Sequence, residues 1–287
     1  MSGKIVLVTG ATNGIGKAAA LELARMGAQV VLVGRSRPKT EATVSEIFKK
    51  TGNNALDYIV ADLALMSGIR QTVEAFLQKY DHLHVLINNV GGIFAQREVT
   101  AEGLEMTFAL NHIGYFLLTN LLLDVLKASA PARVVNVSSD AHRFGALNLS
   151  DLQSEQSYGM GGFRAYSQSK LMNVMFTYEL AQRLEGTGVT TNAMHPGAVA
   201  TGFGRNNRGM IGFIFRSFGH FSLTPEQGAD TVVYLASSPD VDDVTGKYFD
   251  RRKAVLSSSH SYDEAAARRL WEISAELTGI ASPQPTA

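Results

Sequence analysis

Short apolar runs alternate with helical patterns along nearly the whole chain, and this alternation constrains the fold more than any other feature. The first run, KIVLVT over 4–9, is β-branched, apolar and of strand length, as a strand buried on both faces requires. It leads into Gly10-Ala11-Thr12-Asn13-Gly14-Ile15-Gly16, then a helical pattern from Lys17 to Met26, a helix-stopping Gly27 and a second apolar run, QVVLV over 29–33. Strand, turn, helix and strand within about thirty residues make one crossover unit. The spacing predicts further helices over 40–50, 69–80, 102–129 and 166–185, and further strands over 55–60, 85–87, 133–137 and 189–194. Thr224-Pro225-Glu226 opens another helix, with Thr as cap and Pro in the first turn; a short strand over 246–249 and an amphipathic helix over 268–277 follow. Alternation of this kind predicts an α/β fold, a doubly wound parallel sheet with helices on both faces. With no linker, repeat or low-complexity stretch, a single domain over 1–287 is expected, interrupted by irregular segments at 140–165 and 198–223.

Composition removes several functional classes. The chain of 287 residues is 45% hydrophobic and 18% charged, with 26 basic and 26 acidic residues and no cysteine. A balanced charge offers no electrostatic footprint for nucleic acid or anionic lipid. Without cysteine there is no disulfide, thiol nucleophile or cysteine-held zinc. The most apolar stretch, 113–126, is interrupted by Asn120 and Asp124 and is too short to span a bilayer. No membrane span is expected. The chain opens directly on a strand, without a signal-like segment, and a cytoplasmic location is expected.

The glycine-rich turn between the first strand and helix lets backbone amides approach a pyrophosphate, with the helix N-terminus behind them. A plain βα turn is the competing reading. The second strand ends Val33-Gly34-Arg35-Ser36-Arg37, with no carboxylate to hold a ribose 2′-hydroxyl. An arginine there suits a 2′-phosphate, so Arg35, helped by Arg37 or Lys39, points to NADP(H); solvated loop cations are the alternative. Further on, Tyr166 and Lys170 share one face of a helix. A phenol titrates at about 10 and is a poor acid or base at neutral pH. A neighbouring ammonium would lower that value and make Tyr166 a usable general acid/base.

Taken in order, Thr9-Gly10-x-x-x-Gly14-Ile15-Gly16, Asp62-Leu63, Asn88-Asn89-Val90-Gly91, Asn111, a serine after a strand, Tyr166-x-x-x-Lys170 and Pro196-Gly197 resemble the short-chain dehydrogenase/reductase family, with its Rossmann-like sheet. The resemblance runs from Ile5 to about Phe249. The long segment between Ser139 and Tyr166, together with His195-Pro196-Gly197 and Arg268-Arg269-Leu270-Trp271, is similar to the retinol-dehydrogenase-like branch. The resemblance implies a tetrad of Asn111, Ser139, Tyr166 and Lys170. Tyr166 would move the proton, Lys170 would tune it and hold ribose hydroxyls, Ser139 would orient the substrate oxygen, and Asn111 would support a water chain to Lys170. It also implies coenzyme contacts from Gly10, Thr12, Asn13, Gly14, Ile15, Gly16, Asp62, Leu63, Asn89, Val90, Gly91, Pro196, Gly197, Val199 and Thr201, beside Arg35, Tyr166 and Lys170.

His142 and His195 have no partner at ligand spacing and are read as structural or substrate-lining, with no metal implied. The two irregular segments, rich in glycine, methionine and phenylalanine, would build an apolar pocket or lid. The expected function is therefore an NADP(H)-dependent oxidoreductase interconverting a bulky, apolar ketone or aldehyde with its alcohol. The alternative is a catalytically silent NADP-binding regulatory or scaffold protein of the same fold. The apolar faces of the 102–129 and Tyr166 helices would serve a homodimer or homotetramer, since family members pair through these helices.

Overall fold

The computed structural model of the protein describes residues 1–197 and 223–281. Eight strands form one sheet: β1 Ile5–Thr9, β2 Gln29–Gly34, β3 Leu56–Val60, β4 Val85–Asn88, β5 Ala132–Val137, β6 Val189–His195, β7 Lys247–Asp250 and β8 Lys253–Val255. Their order is β3-β2-β1-β4-β5-β6-β7-β8. All neighbours pair in parallel except β7 with β8, which form an antiparallel hairpin. Strand order reverses direction between β1 and β4, so loops diverge there and leave a crevice at the carboxyl ends of the strands.

Helices cover both faces. On one lie α1 (Gly14–Arg25), α2 (Arg37–Thr51) and α8 (Pro225–Ser237). Val6, Val8, Val30, Leu32 and Ile87 of the strands bury against Ala18–Ala20, Leu23, Ile47, Val232 and Leu235 of these helices. On the other face lie α3 (Met66–Leu77), α5 (Gly114–Leu121), α6 (Leu123–Ala128), α7 (Phe163–Arg183) and α9 (Glu264–Thr278). Burying each such aliphatic side chain contributes roughly 1.5–3 kcal/mol. Local chemistry sets the helix ends. Asn13 caps α1, Thr224 and Gln227 form a reciprocal capping box on α8, and Asp263 caps α9.

The helix predicted over 102–129 is broken. It starts with a short turn, α4 (Met106–Phe108), capped by the Glu105 carboxylate. A π-helical turn over Ala109–Ile113 follows, and Leu122 separates α5 from α6. The π turn carries Asn111. The expectation that the apolar backs of this helix and of α7 form a subunit contact meets a competing occupant, because α9 packs on them. Trp271 lies 4.9 Å from Phe116 and 5.7 Å from Phe176, centroid to centroid, with the Arg183 guanidinium 4.3 Å from its ring. His112 Nε2 donates to Ser274 Oγ at 2.8 Å, since that hydroxyl itself donates to the Leu270 carbonyl. Full burial pulls His112 down to about 3. Among the described residues, no helix is long and apolar enough to cross a membrane.

Candidate active site

In a parallel sheet every strand's carboxyl end lies on the same edge. The glycine turn after β1, Arg35 after β2, Asp62 after β3, Asn89–Gly91 after β4, Ser138-Ser139 after β5 and Pro196-Gly197 after β6 are therefore brought to one rim. Val199 and Thr201, and residues 198–222 of the expected lid segment over 198–223, lie outside the described residues.

The glycine turn is built by close approach. Gly10 has φ +64°, and a Cβ on Gly16 would stand 2.4 Å from Asn89 Nδ2 and 2.5 Å from the Gly10 carbonyl. Asn89 is the reason. Its Nδ2 donates to the Thr9 carbonyl at 2.8 Å, and its backbone amide and that of Val90 donate to Thr9 Oγ1 at 2.8 and 3.1 Å. The Asn89 side chain thus holds the turn through its Nδ2. Asn13 Oδ1 accepts from the Gly14 amide at 2.8 Å. Thr12 packs where a Cβ on Gly34 would be, 2.6 Å from its methyl.

At the outer end Arg35 is exposed, and its Nη1 stands 3.7 Å from Asp62 Oδ2. Asp62 Oδ1 accepts from the Ala64 amide at 3.1 Å, while Leu63 is buried in the helical layer. Two residues expected to meet the adenosine end thus face each other across the β2 and β3 loops. Arg37 ion-pairs with Glu41.

The inner end is closed. Tyr166 and Lys170, both on α7, are 8% and 3% exposed. The Tyr166 phenol is hydrogen-bonded by Ser139. Ser139 Oγ accepts the Ala141 amide at 3.2 Å, which leaves its own proton free to point at the phenol. Ser138 is spent elsewhere: its Oγ donates to the Lys170 carbonyl at 2.8 Å and fastens α7 to β5. Lys170 Nζ donates to the Val137 carbonyl at 2.9 Å, 5.8 Å from the centre of the Tyr166 ring and 5.6 Å from that of Tyr115. Asn111 clamps the loop after β4, accepting from the Gly92 amide at 2.8 Å and donating to its carbonyl at 2.9 Å. A Cβ on Gly91 would sit 3.2 Å from Asn111 Oδ1 and 3.5 Å from Lys170 Nζ, so this glycine lets the loop touch both.

Charge is costly here. Burial pushes Tyr166 up to about 12, with the Ser139 bond opposing, and the same burial pulls Lys170 down to about 7. The sequence led us to expect a phenol made acidic by its lysine. In the structure low polarity dominates, and the neutral phenol is the favoured form.

Sequence reasoning missed three supports. Tyr115, fully buried, donates to the Val137 carbonyl at 3.2 Å, the same oxygen that holds Lys170. Ser169 Oγ accepts from Asn111 Nδ2 at 2.9 Å and donates to the Tyr166 carbonyl at 2.7 Å, linking two tetrad members. Thr9 holds the Asn89 loop. Ser169 carried a signal, since a small hydroxyl residue beside a buried lysine needs a partner; Tyr115 carried none.

Comparison with known proteins agrees with this architecture. The short chain dehydrogenase profile matches residues 4–211, and the chain belongs to that family of oxidoreductases. Within it the chain is retinol-dehydrogenase-like. It is 45% identical to retinol dehydrogenase 12 of Homo sapiens, over 98% of this chain and 88% of that protein. It is 43% identical to retinol dehydrogenase 14 of Mus musculus, over 98% and 87%. Among solved structures, an uncharacterized protein from Mycobacterium paratuberculosis superposes with a TM-score of 0.78 at 31% identity, over 99% of this chain and 96% of that one. A Pseudomonas aeruginosa RhlG/NADP active-site complex gives 0.69 at 25%, over 91% and 97%.

Proposed function

We propose that the protein is an NADP(H)-dependent oxidoreductase that interconverts an apolar, bulky aldehyde or ketone with its alcohol, retinoid-sized compounds being the class its relatives' names suggest. The observation that carries this is the convergence of Ser139, Tyr166, Lys170 and Asn111 in one buried cluster at the crevice of the sheet. A silent scaffold would have no need of a buried lysine held against a carbonyl at 2.9 Å. The residues fit a dinucleotide: glycines at Gly10 and Gly16 keep the turn open to the backbone, and Arg35 offers an exposed guanidinium at the outer end. When bound, the nicotinamide supplies or accepts the hydride. In reduction Tyr166 gives its hydroxyl proton to the substrate oxygen, and in oxidation it takes that proton back. Ser139 orients the same oxygen, Lys170 replenishes the proton and holds ribose hydroxyls, and Asn111 fixes the loop beneath them. Coenzyme selection falls to Arg35, whose charge-assisted bonds suit a 2′-phosphate.

The pocket reading is supported by the segment between Ser139 and Tyr166. Phe144 is 76% exposed, and its ring lies 6.0 Å from that of Phe163, three residues before Tyr166. Gly162, with φ +86°, lets this segment press on the Phe94 carbonyl, which accepts from Tyr158 at 2.9 Å. The test is NADPH oxidation against a graded set of aldehydes from acetaldehyde to retinal. Catalytic efficiency should climb with apolar bulk. Equal efficiency across the set would contradict the substrate assignment, and no turnover of any carbonyl would contradict the enzyme.

A further inference from the structure

His142 is fully buried immediately behind Ser139. Ser139 caps the tight turn Asp140–Phe144, and its carbonyl accepts twice from His142: from the amide at 3.0 Å and from Nδ1 at 2.7 Å. A carbonyl cannot donate, so the imidazole proton is on Nδ1 and Nε2 is an acceptor. There the Ser258 amide donates at 3.0 Å. The two bonds fix one neutral tautomer, and burial lowers the ring's basicity in the same sense. The ring packs 4.7 Å from that of Tyr248, whose hydroxyl donates to Asp140 Oδ1 at 3.1 Å. The Asp140 amide in turn donates to His195 Nδ1 at 3.2 Å. Beside it Arg143 Nη2 donates to the Leu256 carbonyl at 2.7 Å. The turn after β5 is therefore fastened to residues 256–258, beyond the stretch that the family profile matches.

An imidazole with both nitrogens engaged has neither proton nor lone pair to offer a substrate. It does have the geometry of a strut. We propose that His142 is the positioning residue for Ser139: it joins the Ser139 carbonyl to the Ser258 amide and so aims the hydroxyl that meets Tyr166. The inference rests on the reading of Ser139 as the group that orients the substrate oxygen. A serine at the end of a strand swings its side chain when its peptide plane turns. Displacing a reacting group by about 1 Å costs on the order of 100-fold in rate.

The test compares His142→Leu, His142→Asn and His142→Gln with Ser139→Ala, measuring kcat at saturating NADPH and aldehyde, the NADPH Kd and Tm. Asparagine places an N–H where Nδ1 stands and drops the contact to Ser258. Glutamine reaches Ser258 and drops the contact to Ser139. His142→Leu should lower kcat about 10- to 100-fold with the NADPH Kd within about twofold of wild type, and His142→Asn, which keeps only the Ser139 end of the strut, should recover only part of that loss. His142→Gln should recover less than His142→Asn. If the leucine variant does not fold, the ranking of asparagine over glutamine decides the matter. Equal kcat in those two, or a kcat loss matched by a proportional rise in NADPH Kd, would overturn the proposal. Wild-type kcat in Ser139→Ala would instead sink the reading of Ser139 itself, and the inference with it. A loss in Ser139→Ala with none in the His142 series would sink the inference alone.

Discussion

The two ends of the crevice are built on opposite principles. At the outer end Arg35 and Asp62 meet at 3.7 Å in side chains that are 77% and 36% exposed, and an ion pair so placed contributes little to stability. At the inner end Tyr166, Lys170, Asn111 and Ser169 are buried and bonded to one another or to backbone. The outer end can therefore change ligand preference without disturbing the fold. The inner end cannot change without disturbing chemistry, packing or both. On the function proposed above, selection falls to the rim and reaction to the interior.

Four measurements would break or sharpen that contrast. The largest effect is expected for Lys170→Met, which keeps the stem and removes the amine. Turnover should fall by about 100- to 1,000-fold, the range of an acid–base contribution. Retained turnover would separate Lys170 from the chemistry. Next, Asn111→Ala removes two bonds to Gly92 and one to Ser169, and should cost about 2–4 kcal/mol in urea unfolding as well as turnover. An activity loss at full stability would show that the clamp is not structural.

Arg35→Ala should act on selection alone. The KM for NADPH should rise about 10- to 100-fold as hydrogen bonds to a charged group are lost, with the KM for NADH little changed and stability within about 1 kcal/mol of wild type. A parallel rise for both coenzymes would refute the role in selection. The fourth measurement concerns pH. Lys170 is held at about 7 in the fold against 10.5 as its ordinary value. Between these values the unfolded chain binds more protons, so stability should increase as pH rises from about 7 toward 10.5. Tyr166 is displaced the other way, to about 12 from 10.0, and its contribution should be lost above pH 10. Unfolding curves of wild type and Lys170→Met over pH 7–9 check the first slope, which the variant should lack.

The outer and inner ends also differed in how far the sequence revealed them. Strand runs such as KIVLVT and the residues that follow each strand were legible, because a parallel sheet delivers every strand end to one edge. Arg35 was singled out by position alone. The π turn around Asn111 was hidden, since its residues read as ordinary helix. The β7–β8 hairpin was hidden for another reason. Its turn is Arg251-Arg252, at φ +48° and +63°, where asparagine or glycine is the usual signal. Asp230, ion-paired to Arg252, and Thr231, which accepts the Arg252 amide at 3.1 Å, hold that conformation from α8. The rise of the Tyr166 phenol was also invisible, because Tyr and Lys on one helix face reveal proximity but not how dry their surroundings are. The clamp between His142 and Ser258 joins residues far apart in the chain and left no local pattern.

The claim at the centre is that the buried phenol's hydroxyl moves the proton and adds little to coenzyme affinity. Tyr166→Phe keeps the ring and its packing and removes only the hydroxyl. Titration of NADPH into this variant, followed by turnover with retinal at coenzyme saturation, should give a Kd within a few-fold of wild type and a kcat lower by about 100- to 10,000-fold. Wild-type kcat in Tyr166→Phe would contradict the account.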